Sequence, residues 1–237
     1  MAEIILCIDT SGRAGSAAIC TGRKILGEKF FSGQMKHAAE LLPSIQNILE
    51  EGNISVNEIT HLAVTQGPGS YTGLRIGITA AKMIALAGRA KLIGLSSMDA
   101  TRENCERYIE QSGEKFDRIV PVLDAKRGQF FSSMYEFEDG RWEKKIEDSL
   151  FKPKQIIEMA GDKNIRTALL GEGLKYYSKK FEAEGNFILP QDFWNIRASS
   201  LCRLAWPEIE KQNFQDPSGF APKYLRRSDA EENRAPA

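Results

Sequence analysis

One pattern, stated twice, limits what this chain can fold into more than anything else in it. Ile4 to Ile8 is an unbroken apolar run ending at Asp9; a turn follows through Gly15, then a second strand over Ser16 to Cys20, the turn Thr21-Gly22-Arg23-Lys24, and a third strand through Phe31. Near mid-chain the order returns as Ile119 to Leu123, Asp124, a turn through Gly128, a strand from Gln129 to Phe137, the turn Glu138-Asp139-Gly140-Arg141 and a further strand. Unalternating apolar runs suit central strands covered on both faces. Asp9 and Asp124 stand close to half of the 237-residue chain apart, and identity between the two stretches is low, so the repeat is one of topology. Meanders are common enough to coincide by chance. Read as a duplication, the pattern predicts an α/β protein of two half-domains, 1–112 and 113–225, followed by a polar, disordered tail over 226–237.

Between the meanders the period becomes helical. Ala38, Leu41, Leu42, Ile45, Ile48 and Leu49 recur at three- and four-residue steps from His37, and Gly52 ends them. Pro43 inside this stretch predicts a kink or a late start. A strand over His61 to Thr65, a helix from Tyr71 to Ala87 stopped by Gly88, a strand over Lys91 to Leu95 and a helix capped by Ser96 or Ser97 complete the first half. In the second half the pattern predicts a helix over Lys154 to Ala160 and a strand over Thr167 to Leu170. A Gly171-Glu172-Gly173 turn then leads into a helix over Leu174 to Phe181, and a last helix, bent at Pro207, covers Ser199 to Lys211.

Charge narrows the function classes. Thirty-two basic residues balance thirty-two acidic ones, whereas proteins that grip nucleic acid alone carry a basic excess. Any work on RNA therefore needs a partner to supply the phosphate contacts. Lys175, Lys179, Lys180, Arg226 and Arg227 are scattered enough to be ordinary solvated charge. Cys7, Cys20, Cys105 and Cys202 show no Cys-x-x-Cys spacing and read as reduced, mostly buried thiols. The first residues carry Glu3 and no basic segment, so no signal peptide is expected. Arg75, Lys82 and Arg89 interrupt the most apolar stretch, so no membrane span is expected and the compartment reads as cytoplasm.

The most informative segment runs from Gly67 to Gly77 (Gly-Pro-Gly-Ser-Tyr-Thr-Gly-Leu-Arg-Ile-Gly) between a strand and a helix, where freed backbone N–H groups and the positive end of a helix dipole converge. It lacks the Gly-Lys-Ser/Thr of a P-loop. In the helix that follows, Gly73, Gly77, Ala81 and Ala85 place four small side chains on one face. Glycine inside a helix costs roughly 0.5–1 kcal/mol against alanine, so the stripe needs a packing reason. Either the protein's own sheet or a partner helix supplies it, the second reading making the stripe and the His37–Leu49 helix a subunit interface. Asp9-Thr10-Ser11-Gly12 matches the phosphate-binding turn of actin-like ATPases better than an aspartic protease, which needs a second such carboxylate motif. Asp124 is its counterpart, and the plainer role for both is to cap a turn. His37 and His61 are unpaired, with no His-x-x-x-His, so neither a metal site nor a catalytic residue is expected.

Taken in order, Ile8-Asp9-Thr10-Ser11, His37 with Leu41-Leu42-Pro43, Gly67 to Gly77, Leu95 to Ala100, Asp124-Ala125-Lys126-Arg127-Gly128 and Pro222 to Arg226 resemble the TsaB (YeaZ) family over about residues 4 to 227. The resemblance implies two actin-like (ASKHA, RNase H-like) half-domains, each a mixed sheet with flanking helices. It implies a non-catalytic subunit that binds TsaD, and with it TsaE, for threonylcarbamoyl transfer to the adenosine beside the anticodon of tRNAs reading ANN codons. His37, Leu41, Leu42, Ile45, Gly73, Arg75, Gly77, Ala81 and Ala85 would line that interface, and a homodimer would use it when TsaD is absent. Asp9, Thr10, Ser11 and Asp124 would be vestigial phosphate-loop residues, with no cofactor in the chain alone and ATP with magnesium only in the assembled complex; tRNA would be met through the complex. The competing reading is an ASKHA-type kinase or ATPase acting on a small molecule through Asp9 and Asp124.

Overall fold

A computed structural model describes residues 3–32, 36–182 and 185–226; of the tail predicted over 226–237 it describes only Arg226, and the rest, Arg227 with it, lies outside the described residues. Among the described residues, ten strands form two five-stranded sheets. In the first, β1 (Ile4–Asp9) pairs antiparallel with β2 (Ser16–Thr21) and parallel with β4 (His61–Gly67). Beyond these lie β3 (Lys24–Phe30) and β5 (Lys91–Ser96), giving the order β3-β2-β1-β4-β5. The second sheet is β6 (Arg118–Asp124), β7 (Phe130–Glu138), β8 (Arg141–Phe151), β9 (Thr167–Leu170) and β10 (Asn186–Ile188), in the order β10-β9-β6-β7-β8. Numbered within its own half, each sheet reads 3-2-1-4-5 or its reverse, with the first strand central. The repeat seen in the sequence is a repeated fold: two mixed sheets with flanking helices.

The apolar run of β1 has a simple cause. Leu6 and Ile8 pack with Leu41, Ile45, Ile48, Ile78 and Ala81 of α1 (His37–Glu51) and α2 (Tyr71–Gly88) on one face. Ile5 and Cys7 pack with Leu201, Cys202 and Ala205 of α6 (Ala198–Glu210) on the other. A strand buried on both sides cannot alternate. α1 starts at His37 and passes unbroken through Pro43, whose side is exposed. Ser96 caps α3 (Ser97–Ser112) by accepting from the Met98 and Asp99 N–H groups, and Gly113 ends it in the left-handed conformation. Helices α4 (Pro153–Ala160) and α5 (Ser178–Phe181) cover the second sheet; the helix predicted over 174–181 is instead a 3₁₀ turn, Glu172–Tyr176, followed by α5.

Two expectations need correction. The second half does not run to residue 225, because α6 returns to the first sheet, and the segment after it stays there: Phe220 joins the α1–α2 core and Gln215 bridges to Leu92. Nor are all four cysteines reduced. Cys20 and Cys202 form a disulfide, while Cys7 and Cys105 are free and buried. Their separation of 182 residues hid the pairing, since only the return of α6 brings them together.

Candidate functional site

The ends of the two central strands face each other across a cleft of about 720 Å³ whose lining includes Arg13, Ser70, Arg75, Asp124, Glu172 and Tyr224. The turn after β1 carries Arg13 across it. Its guanidinium donates to Asp124 Oδ2 at 2.9 Å, and its backbone N–H donates to Glu172 Oε2 at 2.7 Å. Lys126 adds its own backbone N–H and ammonium to Asp124. Burial alone would raise the Asp124 carboxyl, but Lys126 and Arg13 outweigh it and hold the group below the usual carboxylate range. Burial raises Glu172, with the Arg13 N–H opposing. The C-terminal segment walls the cleft: Tyr224 stacks on Tyr71 with centroids 4.4 Å apart and accepts from Arg75 Nε, and Arg226 donates to the Ala125 carbonyl.

Asp9 is built differently. It is fully buried, and its Oδ1 accepts from the Ser11 N–H, the Ser11 hydroxyl and the Thr65 hydroxyl. Burial pushes its carboxyl up, against the pull of those bonds. Thr10 donates to the Gly73 carbonyl at 2.7 Å and Ser70 N–H to the Ser11 carbonyl at 2.7 Å. A Cβ on Gly69 or Gly73 would run into the backbone of Ser11 or Thr10, and one on Gly77 into the Thr10 hydroxyl. The two motifs read separately, Asp9-Thr10-Ser11 and Gly67 to Gly77, are one contact, and its glycines admit backbone. These residues fit a metal-bound nucleotide poorly. Asp124 is taken by Arg13 and Lys126, and among the described residues the one cluster with ligand atoms close enough for a metal ion is Cys7, Cys20 and Cys202.

The small-residue stripe therefore has its explanation inside the monomer. Gly73, Gly77, Ala81 and Ala85 are buried against the first strand and its turn, and Leu41 and Ile45 are buried in the same core. His37 is buried too, its Nε2 donating to the Gly12 carbonyl at 3.0 Å and its ring against Phe31. A partner cannot touch these seven. Of the expected interface, Leu42 and Arg75 face outward, and Arg75 is engaged by Tyr71 and Tyr224. What the outer face of the two helices does offer is Leu42, Met83 and Leu86, which are 59%, 65% and 60% exposed. Beside them an open groove is lined by Leu42, Leu49, Ile54, Val56 and Ile84. Met83 and Leu86 were missed, although the signal was available: a helix apolar on both its small and its large side needs cover on both.

The family model for TsaD, tRNA N6-adenosine threonylcarbamoyltransferase, matches residues 24–233. The tRNA threonylcarbamoyladenosine biosynthesis protein TsaB of Bacillus subtilis strain 168 is 27% identical over 231 residues, 96% of each chain. Its namesake in Escherichia coli K12 is 31% identical over 155 residues, 65% of this chain and 64% of that one. This chain belongs to the TsaD family, on its TsaB (YeaZ) branch. YeaZ from Pseudomonas aeruginosa shares the fold, with a TM-score of 0.78 at 20% identity, covering 94% of this chain and all of that one. Membership of the TsaB branch places the chain in threonylcarbamoyladenosine biosynthesis. Among the described residues no helix is long and apolar enough to cross a membrane.

Proposed function

We propose that this chain is a non-catalytic subunit that docks on TsaD, and with it TsaE, while threonylcarbamoyl is transferred to the adenosine beside the anticodon of tRNAs reading ANN codons. The observation that carries the reading is the apolar outer face of α1 and α2, where Leu42, Met83 and Leu86 stand in water. Contiguous exposed apolar side chains mark a surface that another protein covers. The model that matches most of the chain is that of the transferase itself, so partner and chain would share a fold and could meet through like elements. When TsaD is absent the same face would serve a homodimer. The cleft supports the non-catalytic part, because Arg13 stands where a kinase would need a free carboxylate at Asp124. Nucleotide and magnesium would then belong to the assembled complex, tRNA would be met through TsaD, and the setting would be the cytoplasm.

The test is co-purification with the host's TsaD, followed by assay of tRNA modification with and without this chain. Replacing Leu42, Met83 and Leu86 together by Asp should weaken TsaD binding by at least about tenfold. The same change should abolish the stimulation of modification and leave the circular dichroism of the chain unchanged. A triple variant that still co-elutes with TsaD, or an isolated chain that modifies tRNA unaided, would overturn the reading. Titration of the isolated chain with ATP and Mg²⁺ addresses the kinase alternative, for which tight binding is required.

A further inference from the structure

Three sulfurs meet between the first sheet and α6. β1 and β2 pair with Ile5 opposite Cys20 and Cys7 opposite Ala18, and Cys7 and Cys20 both join the cluster on the α6 side. Cys202 descends from α6 between them. It is bonded to Cys20, and the Cys7 sulfur lies 3.5 Å from the Cys202 sulfur. All three lie within 4.8 Å of one another and are buried among Ile5, Ala18, Ala63, Leu201 and Ala205. Cys105 sits apart, in the core of the second lobe. A brace needs two sulfurs; the third touches Cys202 from the side of the S–S bond, since all three lie within 4.8 Å of one another, and it must swing into line with that bond before it can attack.

We propose that Cys7, Cys20 and Cys202 form a thiol–disulfide exchange centre, in which Cys202 bonds to either strand cysteine and so fastens the returning helix to the first sheet. The Cys20–Cys202 bond forms when the two thiols react with a low-molecular-weight disulfide, which is reduced to two thiols as the new S–S bond takes up the oxidation. In the exchange step the Cys7 thiol gives up its proton and attacks Cys202 Sγ. The bond to Cys20 breaks, its electron pair leaves on Cys20 Sγ, and that sulfur takes up a proton, so the step is redox-neutral. Burial, with Glu28 adding to it, pushes the Cys7 thiol far above the ordinary thiol range. Exchange therefore waits on a partial lifting of α6 and is slow in the native state. The helix is held at its start by Ser16 accepting from the Ala198 N–H and by Glu28 accepting from the Ser199 N–H and Arg197. The sulfur bond adds a covalent tie one turn further on. Disulfides are rare in reducing compartments, so the tie is a state entered under oxidation.

The experiment is non-reducing peptide mapping of the full chain after incubation with oxidised glutathione. Wild type should yield a Cys20–Cys202 peptide, Cys20→Ser a Cys7–Cys202 peptide, and Cys202→Ser neither, with Cys105 free throughout. Relative to the chain reduced by a phosphine, the oxidised wild type should melt higher by on the order of 10 °C, from the long loop that the bond closes. Should Cys20→Ser not fold, wild type held with sub-stoichiometric reduced glutathione must show the Cys7–Cys202 peptide as a minor species. Cys202 remaining a free thiol after oxidation, absence of any Cys7 link, or stoichiometric zinc retained on the three sulfurs would each overturn the proposal.

Discussion

The two lobes share a strand order and place an aspartate at the end of the first strand, yet they treat it in opposite ways. Asp9 is buried, its Oδ1 bonded by Ser11 and Thr65 and its Oδ2 left without a hydrogen bond, and its carboxyl is raised by burial. Asp124 stays at the cleft, and Lys126 and Arg13 hold its carboxyl low. The glycine turns beyond the neighbouring parallel strands differ in the same sense. In the first lobe Gly69, Gly73 and Gly77 let an eighteen-residue helix settle onto Ser11 and Thr10. In the second, Gly171 and Gly173 let a short 3₁₀ turn settle onto Val122, and Glu172 between them reaches across to Arg13. The first lobe spends its pattern on a rigid platform for α1 and α2, whose outer face is free to dock. The second spends it on closing the cleft.

That contrast breaks most violently at Gly73. A Cβ there would overlap the Thr10 carbonyl, which is backbone and cannot swing aside. Gly73→Val should cost about 3 kcal/mol or more in urea denaturation, as overpacking against fixed atoms does. Gly173→Val is its counterpart and should cost less. Its Cβ would stand 2.9 Å from the Val122 carbonyl and 3.1 Å from the Asp124 backbone nitrogen, a shallower overlap with backbone than the 2.0 Å at Thr10. Equal losses would mean that the platform is no more rigid than the turn it is compared with.

A middle-sized effect is expected on α3, which packs against both sheets. Burial pushes Glu103 up to about 7, with Arg102 opposing and Glu106 adding to the rise. A carboxyl whose folded value lies above its ordinary 4.5 lends stability that is whole below pH 4.5 and is lost as pH climbs through about 7. Glu103→Gln removes the titration, so the fall between pH 4.5 and 8, on the order of 3 kcal/mol, should flatten. Urea melts of both proteins at pH 5 and pH 8 measure it. Parallel pH profiles would show that Glu103 ionises without cost and that the shared helix is not where the lobes are sensitive to pH.

Local structure was legible wherever one physical rule governed it. β1 and β6 announced themselves because strands covered on both faces carry no polar residue to interrupt them, and α3 because Ser96 is chemically fit to cap its start. The helix predicted over 174–181 is interrupted at Tyr177, whose φ of −131° and ψ of 5° leave the helical region between the 3₁₀ turn and α5. β10 is three residues long and leaves no period to read. The stripe was correctly seen to need a close neighbour, but spacing cannot say whose backbone approaches, and the answer was Thr10 of the same chain. Arg13 was invisible for a related reason: a polar turn residue gains its role only from Asp124 and Glu172, which reach it from more than a hundred positions away. The same holds for α6, whose small inner face names no particular sheet.

The smallest effect tests the link between the lobes. In Arg13→Ala the ion pair with Asp124 disappears, but the backbone N–H of residue 13 still donates to Glu172 and Arg226 still reaches the Ala125 carbonyl. The pair is partly exposed, at 23% and 10% for the two side chains, so its loss should cost about 1 kcal/mol or less. The clearer signal lies in Asp124 itself. A carboxyl held below its ordinary value contributes stability above that value and loses it as pH falls through the folded one. Without Arg13 the Asp124 resonance should titrate at higher pH, still below normal because Lys126 remains, and the variant should lose less stability than wild type on acidification. An unmoved Asp124 would mean that Lys126 alone sets its charge. A large gain in radius of gyration by solution scattering would mean that the Arg13 side chain, and not the backbone contacts, keeps the cleft shut.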